Sequence, residues 1–295
     1  MAEQKQSQKE RIKELTDQLE EGVRAVFDSD RYREYLTCMS KFHNYSVYNS
    51  LLIFQQRPDA SLVAGYKAWQ TDHGRYVKKG EKGIKILAPY KYKVEMDEKD
   101  ENGKPKQMEL TGFRIVTVFA YEQTEGKELP SIWANELTGE VKDYRRIFNA
   151  LVRISPVPIR FEDIQGGAKG YYSDTEKRIA IKAGMSELQT IKTTLHEVAH
   201  AKHHSKEALQ KDHPIDRRHM ETEAESISFC VGHMLGIGDL SEYSFPYLTS
   251  WASGKDTKEL RDSLERIRSA SDEMITEITH ELERQRKQRN VEMER

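Results

Sequence analysis

The chain has 295 residues, 33% charged and 37% hydrophobic, enough apolar material for about two cores on a prior of roughly 100–200 residues per domain. Lys and Arg number 47 against 49 Asp and Glu, a net charge of −2. That balance excludes a globally basic nucleic-acid binder but leaves room for a local basic face. No run reaches the roughly 18 apolar residues that span a bilayer, and the opening MAEQKQSQKERIKE lacks a signal-peptide core. Two cysteines make no disulfide framework, so a soluble, cytoplasmic protein with no membrane partner is expected.

Residues 5–27 read as a helix, because Ile12, Leu15, Leu19, Val23 and Phe27 recur at three- and four-residue spacing. Further helices are expected near 30–41 and 45–56, giving an N-terminal helical layer. After Pro58 a short helix around Tyr66–Thr71 precedes strands near 75–77 and 83–94, where Ile84, Ile86 and Ala88 alternate with Lys85 and Leu87. The polar stretch 97–107 reads as a hairpin loop, and 113–121, rich in β-branched and aromatic residues, as a central strand. Residues 126–139 have turn formers and little periodicity, and are expected to be a linker.

A helix near 140–154 and a strand near 157–163 open a second region. Residues 169–182 read as a hairpin turning at Ser173–Lys177. Ser186 followed by Gln189 has capping-box spacing, so 185–204 should be a helix, with another over about 221–235. From Thr257 the chain is helical again, with Leu260, Leu264, Ile267, Met274 and Ile278 in alternating four- and three-residue steps and Ser271 in one apolar slot. Beyond Leu282 it turns fully polar and should fray.

The strongest chemical signal is Leu195–His200, LHEVAH. On a helix, His196 and His200 project from one face and can grip one Zn2+ ion, while Glu197 is offset to act as catalytic base on a water at the metal. Such a match is expected by composition about 0.04 times in a chain this long. A metzincin-type third histidine is excluded, because Lys206 stands at its position and His203 replaces the glycine. A carboxylate on the next helix is the other solution, and ETEAESISF offers Glu221, Glu223 and Glu225. Glu223 is preferred, since Ala224 lets helices approach and Ile227 shares its face; Glu221 is the alternative. The remaining nearby histidines, His203, His204, His213, His219 and His233, read as surface or satisfied residues. With zinc bound, the expected chemistry is hydrolysis of a peptide or protein substrate, which the 169–182 hairpin could receive as an extended strand.

LHEVAH, the preceding GYYSDTEKRIAI and ETEAESISF together resemble the ImmA/IrrE group of metallopeptidase-like proteins over about residues 140–250. The resemblance fits His196, Glu197 and His200 closely. The glutamate helix fits less cleanly, because Glu225 stands where the group has Asn.

Between Arg57 and Lys93 nine basic residues face three acidic ones, a local excess of +6. Tyr66, Trp69, Tyr76, Tyr90 and Tyr92 are interleaved with them, and Tyr45 and Tyr48 lie just before. Cations that neutralise phosphates and rings that stack on bases are the means of holding single-stranded DNA. The expected binding residues are Tyr48, Tyr66, Lys67, Trp69, Arg75, Tyr76, Lys78, Lys79, Lys82 and Lys85. YSVYNSLLIF, GYKAWQTDHGRYVKKGEKGIKIL and FRIVTVFAYEQTEG resemble the N-terminal domain of the ArdC antirestriction family over about residues 10–125. That resemblance implies single-stranded-DNA binding, a metallopeptidase-like partner domain in this order, and a role in conjugative elements or phages that shields entering single-stranded DNA.

The expectation is therefore an α+β chain with two domains. A DNA-binding domain over 1–125 sets a helical layer on a small antiparallel sheet. A linker over 126–139 leads to a gluzincin-like zinc metallopeptidase domain over 140–255 and a terminal helix over 256–295. The alternatives are a regulatory zinc protease that cleaves a repressor, and a DNA-binding protein with a catalytically silent zinc site.

Overall fold

The computed structural model describes residues 8–27, 29–99, 105–129, 141–209, 216–237, 245, 248, 252 and 255–293. The chain packs as two compact units, Met1–Gly22 with Tyr48–Glu128, and Val23–Val47 with Leu129–Arg295. This division differs from a first domain running unbroken over 1–125, and the expected linker falls largely outside the described residues. Among the described residues no helix is long and apolar enough to cross a membrane.

In the first unit, α1 (Gln8–Val26) contributes its N-terminal part and α3 (Val47–Gln56) the core side chains Leu51, Leu52, Ile53 and Phe54. After β1 (Val63–Gly65) and α4 (Tyr66–Thr71) come β2 (Arg75–Val77), β3 (Ile84–Lys99) and β4 (Pro105–Ala120). A 3-10 turn at Tyr121–Gln123 leads to β5 (Thr124–Gly126). β1, β4 and β3 form an antiparallel sheet in that order, and β2 pairs with β5. The expected alternation holds at the base, where Ile84 and Ile86 are buried.

The β3–β4 hairpin is longer than sequence suggested. Its strands reach Lys99 and resume at Pro105, so only 100–104 of the polar stretch lies outside the described residues. Each sixteen-residue strand spans about 54 Å at the antiparallel rise. Two amides of α3 act as a short substitute strand along the outer side of β3. Asn49 accepts from Leu87 N at 2.9 Å and donates to Leu87 O at 2.8 Å, and Gln56 does the same for Lys85 at 2.9 Å each. Beyond Pro89 the hairpin is a two-stranded ribbon with Tyr90, Tyr92, Val94 and Met108 exposed.

Among the described residues the second unit contains α2 (Ser29–Lys41), α5 (Val141–Ile154), a three-stranded sheet and four further helices. The sheet has the order β6–β8–β7, from β6 (Ile159–Glu162), β7 (Gly170–Ser173) and β8 (Arg178–Lys182); β6 runs parallel to β8, and β7 antiparallel. Central β8 buries Ile179, Ala180 and Ile181 completely. α6 (Glu187–His203) packs on β7 and β8, and its N-cap Ser186 accepts from Gln189 N. Only half of the expected capping box forms, because the Gln189 side chain turns to Lys169 and Thr193. Gly170 permits the close strand–helix approach: a Cβ there would stand 2.6 Å from Thr193 Cγ2 and 3.0 Å from Ala180 O.

After the short α7 (Lys206–Leu209), α8 (Arg217–Met234) begins at Asp216, whose side chain accepts from His219 N. α9 (Thr257–Met293) continues past the point where fraying was expected. Its predicted seam is buried, and Ser271 fills the polar slot by donating to Ile267 O at 2.7 Å. α8 is the hub, packed by α2, α6 and α9. This explains why α2 joins the second unit: the buried Tyr32 hydroxyl meets Ser226 Oγ at 2.8 Å, and Cys230 Sγ meets Leu36 O at 3.6 Å.

Candidate metal centre

The α6–α8 contact assembles the site. One turn apart on α6, His196 and His200 bring their Nε2 atoms to 3.1 Å. Glu221 Oε2, from the first half of α8, lies 3.4 Å from His196 Nε2 and 3.6 Å from His200 Nε2. Metal bonds of about 2.0–2.1 Å at the tetrahedral angle put ligand atoms about 3.3 Å apart, so this donor triangle has the size a zinc-like cation needs. Among the described residues His196, His200 and Glu221 are the one His/Cys/Asp/Glu group close enough to share a metal.

The choice of Glu223 as third ligand is thereby corrected. A separation of two residues turns a side chain by about 200° on a helix, so Glu223 leaves the α6 face and points to α9. Its Oε1 accepts from Ser263 Oγ at 2.8 Å and from Arg266 Nε and Nη2 at 2.9 and 2.7 Å, while Oε2 lies 3.3 Å from His204 Nε2. Burial opposes its charge, yet His204 and Arg266 hold the Glu223 carboxyl below the usual range. Glu225, one turn beyond Glu221, lies 3.2 Å from His196 Nδ1, close to the place an outer-shell carboxylate takes beside a ligating imidazole, although the two make no hydrogen bond here.

Electrostatics in the cluster follow from this crowding. Burial disfavours charge on His196, but Glu221 and Glu225 outweigh it and push its pKa up to about 10. Burial keeps His200 below its ordinary value despite Glu221. The two adjacent imidazoles hold the Glu221 carboxyl well below the usual carboxylate range.

Glu197 is buried at the same helix turn, and burial raises its pKa to about 7, against the pull of His196 and of the Tyr172 backbone N–H that donates to it. A carboxylate poised near neutrality is suited to general-base work. Tyr172 belongs to β7, an edge strand of the sheet among the described residues. The Tyr171 and Tyr172 hydroxyls are engaged with Arg178 Nη2 at 2.9 Å and Asp174 Oδ1 at 2.7 Å. A cleft of about 470 Å³ beside the ligands is lined by Lys169 and Gly170, by Gln189, Lys192 and Thr193 of α6, and by His196, Glu197 and Glu225.

The basic segment of the first unit divides by burial. Trp69 is 0% exposed and donates its indole N–H to Phe119 O at 2.8 Å. Arg75 is 5% exposed; its guanidinium bonds Thr124 Oγ1, Thr124 O and Lys127 O and lies 4.1 Å above the Tyr121 ring. These two expected DNA contacts are therefore corrected to core residues, unavailable for stacking or phosphate neutralisation. Tyr48 is half-buried at the start of α3. Tyr66 and Tyr76 are 52% and 58% exposed, and Lys67, Lys78, Lys79, Lys82 and Lys85 are on the surface. Gln123 fastens the loop that carries Lys78–Lys82, donating to Glu81 Oε2 and Lys82 O and accepting Lys78 N through its own carbonyl. Tyr90, Tyr92 and Phe113 of the ribbon add exposed rings that the ten expected residues did not include.

Comparison with known proteins places both regions. Residues 5–119 match the family model of the N-terminal domain of anti-restriction factor ArdC, and 153–234 match the IrrE N-terminal-like domain, a Peptidase_M78 model. An uncharacterized Bacillus anthracis protein is 29% identical over 338 residues, covering 98% of this chain and 56% of its own length. The chain thus spans about half of that curated relative. The metal-free crystal structure of the antirestriction ArdC protein from plasmid R388 superposes with a TM-score of 0.53 at 18% identity, covering 81% of this chain and 86% of that one. Its Mn(II)-bound form gives 0.50 at 19%, covering 83% and 91%.

Proposed function

We propose that this chain, an ArdC-type protein carrying an ArdC N-terminal domain followed by an IrrE-like domain, binds single-stranded DNA through its first domain and hydrolyses a peptide bond at a divalent-metal site in its second. The observation that carries the second half is the donor triangle of His196, His200 and Glu221, with sides of 3.1–3.6 Å, beside the buried Glu197. His196, His200 and Glu221 would hold the ion, and Zn2+ suits two imidazoles and a carboxylate. The Mn(II)-bound ArdC structure supports metal binding in this fold.

A bound zinc ion supplies Lewis-acid polarisation of the scissile carbonyl. The protein does the rest. Glu197 takes a proton from the attacking water and delivers it to the leaving amine. Glu225 stands beside the His196 ring, where a carboxylate can orient a ligating imidazole. The cleft beside Gly170 and the edge strand β7 suit an extended peptide chain. In the first domain, exposed Tyr66 and Tyr76 provide stacking faces, and Lys67, Lys78, Lys79, Lys82 and Lys85 provide phosphate neutralisation. Protection of single-stranded DNA against restriction in the cytoplasm, on behalf of a mobile element, is the role this combination fits.

Metal analysis joined to a gel-shift assay tests both halves on wild type and His196→Ala. The expected result is stoichiometric metal and retarded single-stranded DNA for wild type, and loss of metal with retained DNA binding for the variant. Wild-type protein that takes up metal but cleaves no peptide would leave a DNA-binding protein with a silent site.

A further inference from the structure

Glu223 is too elaborately held to be a spare buried charge. Its side chain is 3% exposed, Oε1 accepts three hydrogen bonds from α9, and Oε2 faces His204. His204, also 3% exposed in its side chain, is the C-cap of α6 and lies one turn beyond His200. Its Nδ1 stands 3.0 Å from His200 Nδ1. A continuous polar chain therefore runs from Arg266 and Ser263 through Glu223 and His204 to His200.

The donor and acceptor sense of that chain is fixed from its outer end. Arg266 only donates, so the Glu223 carboxylate only accepts. On a neutral His204 the proton then sits on Nε2, which leaves Nδ1 as a lone pair. Two lone pairs cannot face each other at 3.0 Å, so His200 must carry its proton on Nδ1. The remaining lone pair of His200 is then on Nε2, the atom 3.1 Å from His196 Nε2 and 3.6 Å from Glu221.

We infer that Glu223 and His204 form a tautomer relay, anchored on α9 by Arg266 and Ser263, that presets His200 Nε2 as an unprotonated donor for a divalent cation. Both are positioning residues: neither touches the cation, and each acts through the next ring. A histidine buried only to fill space would need no defined tautomer, and a glutamate buried only to pair with Arg266 would not face an imidazole nitrogen. The inference rests on the metal-site reading of His196, His200 and Glu221.

The test uses the full chain, at mildly alkaline pH, with two readouts. Long-range 1H–15N correlation NMR of the metal-free protein reports the tautomer of each histidine. Calorimetric titration with Zn2+ or Mn2+ alone reports affinity. Wild type should show His200 protonated on Nδ1. His204→Phe keeps a ring in place but breaks the relay, so His200 should shift toward the Nε2-protonated tautomer, and affinity should fall roughly 10–100-fold, as for other outer-shell losses. Glu223→Gln, whose amide can accept or donate, should give a mixed His200 tautomer and a smaller loss, and it serves alone if His204→Phe does not fold. Wild-type affinity in whichever variant folds, or an unchanged His200 tautomer, overturns the relay. If wild type binds neither ion, the metal reading fails while the NMR comparison still decides the relay.

Discussion

The candidate metal centre and the basic surface of the first unit use polar residues in opposite ways. At the candidate metal centre the buried functional side chains have close polar neighbours: Glu225 lies beside His196, His204 beside His200, and the Tyr172 backbone beside Glu197. On the basic surface, Tyr66, Tyr76, Lys79 and Lys82 stand exposed, and the residues with elaborate partners, Trp69 and Arg75, are the ones withdrawn from solvent. Rigid geometry serves a cation with fixed bond lengths, whereas loose, repeated contacts serve a flexible polyanion. Single substitutions should therefore act sharply in the first region and gradually in the second.

The largest break in that comparison is expected from Glu197→Gln. Peptide hydrolysis should fall about 10²–10⁴-fold with metal content unchanged, the loss of a general base alone; intact turnover would remove Glu197 from the mechanism. Next, Trp69→Ala should cost about 3–5 kcal/mol in denaturant unfolding, because it empties a packed site and removes the indole hydrogen bond to Phe119 O. A loss of DNA affinity without loss of stability would return Trp69 to the binding surface.

Glu225→Ala should lower Zn2+ affinity roughly 10–100-fold, since His196 loses the carboxylate beside it. Tyr76→Ala should weaken single-stranded DNA by about 1–3 kcal/mol without changing the melting temperature, the value of one stacked base. The smallest effect belongs to Lys78→Ala. Its log-affinity against log-salt slope should become shallower by about 0.7, one phosphate on a single strand. A larger loss from this one lysine would show that the basic surface is as tightly constructed as the metal centre.

What was legible in the sequence follows the same division. The helices were readable because their core positions recur locally, as in the α9 seam from Leu260 to Ile278. HExxH was readable because both histidines lie on one turn of one helix. The third candidate ligand was not, because α8 is packed by α2, α6 and α9. Burial on three sides erases the face signal, and Ile227 beside Glu223 marked a buried face that was not the α6 face. The pair Glu221 and Glu225, four apart and both turned to His196, was the available clue. Trp69 and Arg75 misled for another reason: their partners, Phe119 and Thr124, lie about fifty residues away, beyond the reach of local pattern.

The long ribbon of β3 and β4 has a consequence for solubility. Past Pro89 the amides of Asn49 and Gln56 no longer cover it, and among the described residues no further strand lies beside either edge there. A bare two-stranded edge beside exposed Tyr90, Tyr92 and Val94 invites foreign strands to pair with it, the first step of aggregation. Pro89 removes one donor from that edge. Lys91, Lys93 and Lys106, with Glu109 ion-paired to Lys91, make the rest costly to dehydrate. These charges keep the ribbon from sticking to its own kind whatever else it binds.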